Sequence, residues 1–407
     1  MIEPFELTEL PAEAEALRPA VRELMDSYLR AAPPSRRARS WMGADPEFSR
    51  LMAERGWVGL TLPREYGGGG ADAFTRFVLI EELLARGAPV AAHWIADRQS
   101  GPLILKFGSE AQKRFYLPRI CRAEAFFCIG MSEPQSGSDL ASVRSRATRV
   151  EGGWRLNGQK VWTSGAHYSD FGIVVVRTDV DVPKHKGLTM FWIDMKDPGV
   201  TVKPIHQMSG GSNFNEVYFE NVRVNDSQRL GPVGDGWKVA LVTLMNERLA
   251  VGGATGPNYP ELLSLARSTP SGDSSALEDQ AFREKLADWY VQAEGLKLTR
   301  FRSITALSRG QTPGPEASIG KIVSANQLQA MSSEAMEVLD QYGILSDPEL
   351  APLEAGFQQS VMWSAGLRIA GGTDEILKNI IAERVLGLPG DVRVDKDVAF
   401  KDMPTGL

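Results

Sequence analysis

The sequence predicts an α+β protein in which a small antiparallel β domain is set between two helical regions. Three observations predict it. Apolar residues recur at helical spacing to about residue 120, switch to period two from about 121 to 228, and return to helical spacing from about 230. In the middle stretch short β-rich runs are punctuated by turn residues. The chain has 407 residues, 43% of them hydrophobic and 24% charged, enough for more than one core. The expected boundaries are a helical domain over 1–120, a β domain over 121–228, a helical bundle over 229–395 and a loose tail over 396–407.

The elements follow in order. In "DPEFSRLMAERGW" Asp45 is an N-cap, Pro46 takes the first helical position and Gly56 stops the helix. "DAFTRFVLIEELLARG" places Phe74, Phe77, Val78 and Leu84 on one side and ends at Gly87. "SEAQKRF" opens with Ser109 and has Gln112 three residues on, the capping-box pattern. "WRLNGQKVW" is expected to be a hairpin turning at Asn157-Gly158. "FGIVVVRTD", "GLTMFWIDM", "GVTVKPI" and "NEVYFENVRV" supply further strands. "GPVGDG", residues 231–236, is the loop into the next helix, since it lies in no βαβ unit. Near the end, "GLRIAGGTDEILKNIIAERVLGLP" holds two helical runs separated by Gly371-Gly372. Thr373 is the N-cap of the second, and the paired glycines let something bulky approach the backbone.

Several function classes fall away. A net charge of −6 argues against a general nucleic-acid binder, which needs a basic face. His93, His167, His185 and His206 are scattered without ligand spacing and neither cysteine has a C-x-x-C partner, so no metal site is expected. There is no G-x-S-x-G and no P-loop. Two cysteines suit a reducing compartment, the acidic opening residues predict no secretory signal, and no apolar run reaches membrane-spanning length. The expectation is a cytoplasmic protein.

The candidate sites are individually plain. "MSEPQSGSDL" is a compact polar turn whose N–H groups and hydroxyls could hold a pyrophosphate or a ring carbonyl, although an ordinary turn explains it alone. "VWTSGA" sets Trp162 beside two hydroxyls, which suits a flat heteroaromatic ring; a core tryptophan at a strand end is the simpler alternative. In "LMNERLAVGGATG" Glu247 and Arg248 are adjacent and point apart, as on any solvated helix face.

Together, "LTLPREYGG", "MSEPQSGSDL", "LNGQKVWTSGA", "MNERLAVGG" and "GGTDEILKNIIAERVLGLP" resemble the acyl-CoA dehydrogenase family, in its order and spacing over nearly the whole chain. The resemblance implies an N-terminal helical domain, a middle β-barrel or sandwich and a C-terminal four-helix bundle. It implies FAD held between the β domain and the C-terminal helices, a homotetramer or heterotetramer, and an electron-transfer flavoprotein as acceptor. By position, Met131, Ser132 and Ser138 would contact the flavin and its pyrophosphate, and Trp162, Thr163 and Ser164 would line the isoalloxazine. Thr373 and Glu375 would meet the cofactor near the glycine turn. Ser138, Arg248 and Gly372 would contact the acyl-CoA.

The implied chemistry is α,β-desaturation of a thioester, whose carbonyl would accept from the Gly371 N–H. Many members carry the catalytic Glu where this chain has Gly371. Other branches, isovaleryl-specific enzymes among them, place it on the helix after the β domain, immediately before an Arg. Glu247-Arg248 matches that position, so Glu247 is the expected base. Two departures stand out. The family's Arg-x-x-Phe-Gly segment is absent from "LSRGQTPGPEASIGK", and its Gly-Gly-x-Gly-Tyr segment reads "LDQYGIL", keeping only Gly343. Both contact a neighbouring subunit's FAD, so a non-catalytic or half-site partner subunit is an alternative, and a flavin oxidase or monooxygenase on the same fold is another. Moving the base off the Gly-Gly turn and following it with Val251-Gly252-Gly253-Ala254 leaves space near the α and β carbons, which suggests a branched or ring-bearing acyl group.

Overall fold

The computed structural model describes residues 9–29, 41–251, 257–271, 274–311, 314–393 and 395–403, with the side chains at 245–251, 270, 271, 274 and 307 outside that description. Helices α1 (Ala12–Glu15), α2 (Arg18–Tyr28), α3 (Pro46–Glu54), α4 (Ala73–Ala85), α5 (Ala91–Ile95), α6 (Gly101–Phe107) and α7 (Glu110–Cys121) come first. Strands β1 (Phe127–Gly130), β2 (Arg146–Val150), β3 (Gly153–Ser164), β4 (Phe171–Arg177), β5 (Leu188–Asp194), β6 (Val200–Ile205), β7 (Phe214–Asn225) and β8 (Arg229–Leu230) follow. Then come α8 (Gly236–Val251), α9 (Tyr259–Ser268), α10 (Gln280–Ser308), α11 (Ala317–Leu339), α12 (Gly356–Leu367) and α13 (Asp374–Arg384). The α+β class and the helix–β–helix order are as the sequence predicts.

Two compact units form. The first comprises Ala44–Ala71, Val90–Glu247 and Asp391–Leu407; the second comprises Met1–Gly43, Asp72–Pro89 and Arg248–Gly390.

The first unit is built on a sheet of order β6-β7-β3-β2-β4-β5-β8, with β1 also on β4. Pairing is antiparallel except for β1 with β4 and a single contact of β2 with β4. The apolar run of β4 is explained by burial on both faces. Ile173 and Val175 pack with Tyr116, Leu117 and Ile120 of α7, while Val174 and Val176 pack with Trp154, Leu156 and Phe191. The caps form as expected: Asp45 accepts from the Glu47 and Phe48 N–H groups, and Ser109 and Gln112 cap reciprocally.

The expected Asn157-Gly158 hairpin turn is corrected. β3 runs unbroken through both residues, and the β2–β3 turn lies at Glu151-Gly152. Asn157-Gly158 instead absorbs a register shift against β7. There Asn157 Oδ1 accepts from the Asn221 N–H at 2.8 Å, and Gly158 has φ +145° with a would-be Cβ 2.3 Å from Ser145 Oγ. An Asn-Gly pair supplies the same backbone freedom to a bulge as to a turn.

The loose tail expected over 396–407 is corrected for 396–403, while 404–407 lie outside the described residues. Residues 395–403 dock on the sheet unit: the Phe400 N–H donates to the Val182 carbonyl and the Lys401 N–H to the Val180 carbonyl.

The second unit is helical. Leu262, Leu265, Phe282, Trp289, Met331, Ala335, Leu339 and Phe357 form its largest core, drawn from α9, α10, α11 and α12. A second cluster joins Ala14 of α1 with Phe74, Phe77 and Val78 of α4 and Ile304 of α10. Arg18 and Arg22 of α2 pair with Glu82 of α4 at 2.8 and 2.7 Å. The N-terminal third therefore contributes to both units, α4 to the helical one and α3, α5, α6 and α7 to the sheet unit.

Candidate active site

The polar turn after β1 is a closed loop. Glu133 and Ser136 exchange both backbone hydrogen bonds, at 2.9 and 3.0 Å, and Ser136 Oγ donates to the Asp139 carbonyl at 2.6 Å. The buried Glu133 carboxylate accepts from the Arg144 and Ser145 N–H groups and from Lys160 Nζ, at 2.6, 2.9 and 2.7 Å. Burial pushes this carboxyl up, but the Lys160 ammonium and the N–H donors outweigh it and hold the group below the usual carboxylate range. Lys160 also donates to the Met131 carbonyl at 3.0 Å, and the Val161 N–H donates to the Ser132 carbonyl at 2.9 Å. The loop carrying Met131, Ser132 and Ser138 is thereby tied to β3 immediately before Trp162.

At Trp162 the strand does something unusual. The β3–β7 register slips between Lys160 and Thr163, and Trp162 takes φ +59°. Its indole is 57% exposed, edge-on to Phe214 at 6.0 Å. The core-tryptophan alternative is thus overturned: a bulge in a strained backbone presents this ring outward. The next residue, Thr163, is buried, and its Oγ1 has no hydrogen-bond partner among the described residues. Asn215 Nδ2 donates to the Thr163 carbonyl at 3.0 Å, while Ser164 pairs with Phe214 and is half-buried. Ser138 is exposed on the loop.

In the helical unit, α12 and α13 are joined by the glycine turn, with φ +66° at Gly371 and +98° at Gly372. Thr373 caps α13 as expected, accepting from the Ile376 N–H at 3.3 Å. Among the described residues nothing accepts from the Gly371 N–H. The turn is bolted to α11. Lys321 is fully buried and donates to the Gly372 carbonyl at 2.8 Å and the Arg368 carbonyl at 3.1 Å. The Asp374 carboxylate accepts from Arg368 Nε at 2.8 Å and Asn326 Nδ2 at 3.1 Å, with Lys321 Nζ 3.5 Å away. Burial opposes charge on Asp374, yet the Arg368 and Asn326 hydrogen bonds prevail and keep it below the usual range. Glu375 is exposed, and its own N–H and the Thr373 hydroxyl lower its pKa.

Glu247 and Arg248 fall on α8, but their side chains lie outside the described residues. Within 339–345, Asp340–Ile344 forms a 3₁₀ turn with Tyr342 and Ile344 exposed; part of 307–321 lies outside the description. Among the described residues no His/Cys/Asp/Glu cluster could hold a metal ion, and no helix is long and apolar enough to cross a membrane.

The supporting groups Glu133, Lys160, Lys321 and Asp374 were missed from sequence. A signal existed for the lysines: each sits on the stripe of its element that the pattern marks for the core, Lys160 in register with Leu156 and Lys321 with Ala325.

Family models match the chain in three consecutive stretches. Those for the acyl-CoA dehydrogenase N-terminal, middle and C-terminal domains match residues 11–124, 128–222 and 234–386. Acyl-CoA dehydrogenase FadE34 of Mycobacterium tuberculosis is 37% identical over 352 residues, 86% of this chain and 47% of that protein, so the chain spans about half its length. Acyl-CoA dehydrogenase IpdE1 of the same organism is 34% identical over 85% of this chain and 88% of its own. The solved Tcur3481-Tcur3483 steroid ACAD has a TM-score of 0.85 at 28% identity, over 95% of this chain and 100% of that one. The ChsE4-ChsE5 complex from Mycobacterium tuberculosis has a TM-score of 0.82 at 29% identity, again over 95% and 100%. Three domain models in family order, joined by relatives that match along most of the chain, have one reading: the chain belongs to the acyl-CoA dehydrogenase family of oxidoreductases.

Proposed function

We propose that the chain desaturates an acyl-CoA thioester between its α and β carbons, with FAD as cofactor and Glu247 as base. The observation that carries the cofactor reading is the Trp162–Thr163 pair. An exposed indole on a strained bulge, next to a buried hydroxyl without a partner among the described residues, fits a flat heteroaromatic ring bearing polar edges. Met131, Ser132 and Ser138 on the adjoining loop would hold the flavin and pyrophosphate, and Ser164, Thr373 and Glu375 would complete the contacts. FAD, when bound, supplies the acceptor for the β-hydride.

The chain's own groups do the rest. The α-proton of a thioester is weakly acidic, so it needs both a base and a donor on the carbonyl as negative charge grows there. Glu247 takes the proton. The Gly371 N–H, left without an acceptor among the described residues, donates to the thioester oxygen. Gly371 and Gly372 leave no side chain against the acyl group, Ser138 and Arg248 contact the CoA portion, and the electrons pass on to an electron-transfer flavoprotein. The missing side chains, with the likeness to a steroid ACAD, favour a ring-bearing or branched acyl group.

The test is anaerobic titration of the purified protein with saturated acyl-CoAs, ring-bearing and straight-chain, followed by the flavin absorbance. Bleaching by a ring-bearing thioester is expected. Straight C4–C8 thioesters reacting best would sink the substrate class, and fast oxygen consumption would indicate an oxidase. The second reading, a half-site subunit of a heteromer, is favoured by "LDQYGIL" and by likeness to the ChsE4-ChsE5 complex. It predicts that the chain purified alone carries little FAD and gains it on co-expression with a partner.

A further inference from the structure

The docked C-terminal segment ends on two buried cations. Pro183 and Ala399 form an antiparallel bridge, and the Phe400 ring covers the Arg177 guanidinium at 3.7 Å. Asp395 accepts from Lys184 Nζ at 2.7 Å. Arg177 and Lys184 are 1% and 5% exposed, and both reach past the strap to the loop after β1. Arg177 donates to the Ala141, Val143 and Lys184 carbonyls, and its N–H donates to the Ser145 carbonyl at 2.7 Å. Lys184 Nζ donates to Asp139 at 2.9 Å. Asp139 in turn follows Ser138, and its carbonyl holds Ser136.

The same two cations therefore face the strap on one side and residues 139–145 on the other. A strap that served folding alone would bury apolar mass. This one instead pairs with charges most of whose remaining bonds go to one loop, the Arg177 bond to the Lys184 carbonyl joining the two cations' own segments. Without Asp395 and Phe400 both cations would regain water, and the loop would lose the fixed donors that define its path.

We propose that the C-terminal strap is a positioning element: Asp395 and Phe400, acting through Lys184 and Arg177, set the 131–145 loop in the conformation that takes FAD. This rests on the FAD reading above. Ordering a loop at the moment of binding weakens affinity, so the strap raises affinity by ordering it beforehand.

The experiment uses the full chain stripped of FAD, with FAD titrated back by fluorescence and amide hydrogen exchange followed over 131–145. Phe400→Ala and Asp395→Asn should each raise the FAD dissociation constant roughly tenfold and speed exchange in the loop. Asp395→Glu, which keeps the ion pair, should restore both. Asp181→Asn is the control: it removes the exposed Lys401–Asp181 pair and touches neither cation, so neither readout should move. Unchanged affinity and exchange in a Phe400→Ala/Asp395→Asn double variant would overturn the proposal. A wild-type chain that takes up no FAD fails the cofactor reading and this proposal's ligand together; fast exchange confined to the strap variants would then still assign the strap to the loop.

Discussion

Lys321 donates to the Gly372 carbonyl at 2.8 Å, so a buried helix-borne cation fixes a turn that has no side chains of its own. Two adjacent residues at positive φ would otherwise be the softest point of the chain between α12 and α13. Lys321, Arg368, Asn326 and Asp374 convert that point into a rigid one.

The first prediction follows from this network. Lys321→Met leaves Asp374 buried with Arg368 and Asn326 only, and should cost about 3 kcal/mol in denaturant unfolding. Lys321→Met/Asp374→Asn should recover part of the loss, because the buried carboxylate deprived of Lys321 becomes a neutral amide. If the turn serves the thioester, the single variant should lower kcat more than it raises KM. A uniform loss in both would make the network purely structural.

Trp162 yields a prediction with opposite signs for stability and binding. A side chain at φ +59° costs about 1 kcal/mol or more, and glycine does not carry that cost. Trp162→Gly should therefore unfold at the same temperature as the wild type or slightly higher, since the indole is largely exposed. FAD affinity should fall, with the flavin spectrum shifted in what remains bound. A destabilised variant with normal FAD binding would return Trp162 to a packing role.

How much of this was legible in the sequence depends on range. Thr373, Asp45 and Ser109 cap helices because the acceptor and the donor it satisfies lie within three residues, and local chemistry decides the outcome. β4 was legible because Val174 and Val175 bury on opposite faces whatever their partners. Asn157-Gly158 was misleading: the residues that ease a turn also ease a bulge, and only β7, far along the chain, selects between them. The docked tail was invisible for the same reason. Asp395 is an ordinary surface acid until Lys184, more than two hundred residues earlier, comes within 2.7 Å. Glu133 and Lys160 likewise have no local pattern that joins them.

His93 sets a pH dependence. It is buried against Ser49 Oγ at 2.8 Å, and burial pushes its pKa from 6.5 down to about 4, opposed by the Asp97 charge. The folded state therefore resists protonation that the unfolded chain accepts. Its stabilising share is complete above pH 6.5 and shrinks as pH falls toward 4. Between pH 6.5 and 5 the loss should be about 2 kcal/mol, at ~1.4 kcal/mol per pH unit. His93→Gln should flatten that part of the wild-type profile in denaturant unfolding. His185 is also pushed down by burial, so the difference between the two profiles isolates His93. Parallel profiles would remove His93 from the account.

Glu247→Gln tests the base directly. The amide keeps the size of the side chain and its place on α8 but cannot take a proton. FAD affinity and acyl-CoA binding should survive, the second seen as a shift of the flavin band on mixing. The rate of flavin bleaching should fall by about three to four powers of ten, the range general-base catalysis supplies at its upper end. Placing a carboxylate at the turn, as Gly371→Glu in the Glu247→Gln background, asks whether the base can stand there instead. Partial rescue is expected for small straight-chain thioesters and none for ring-bearing ones, because the new side chain takes the space those need. Normal bleaching by Glu247→Gln alone would remove Glu247 from the chemistry, and rescue extending to bulky substrates would separate the base's position from substrate size.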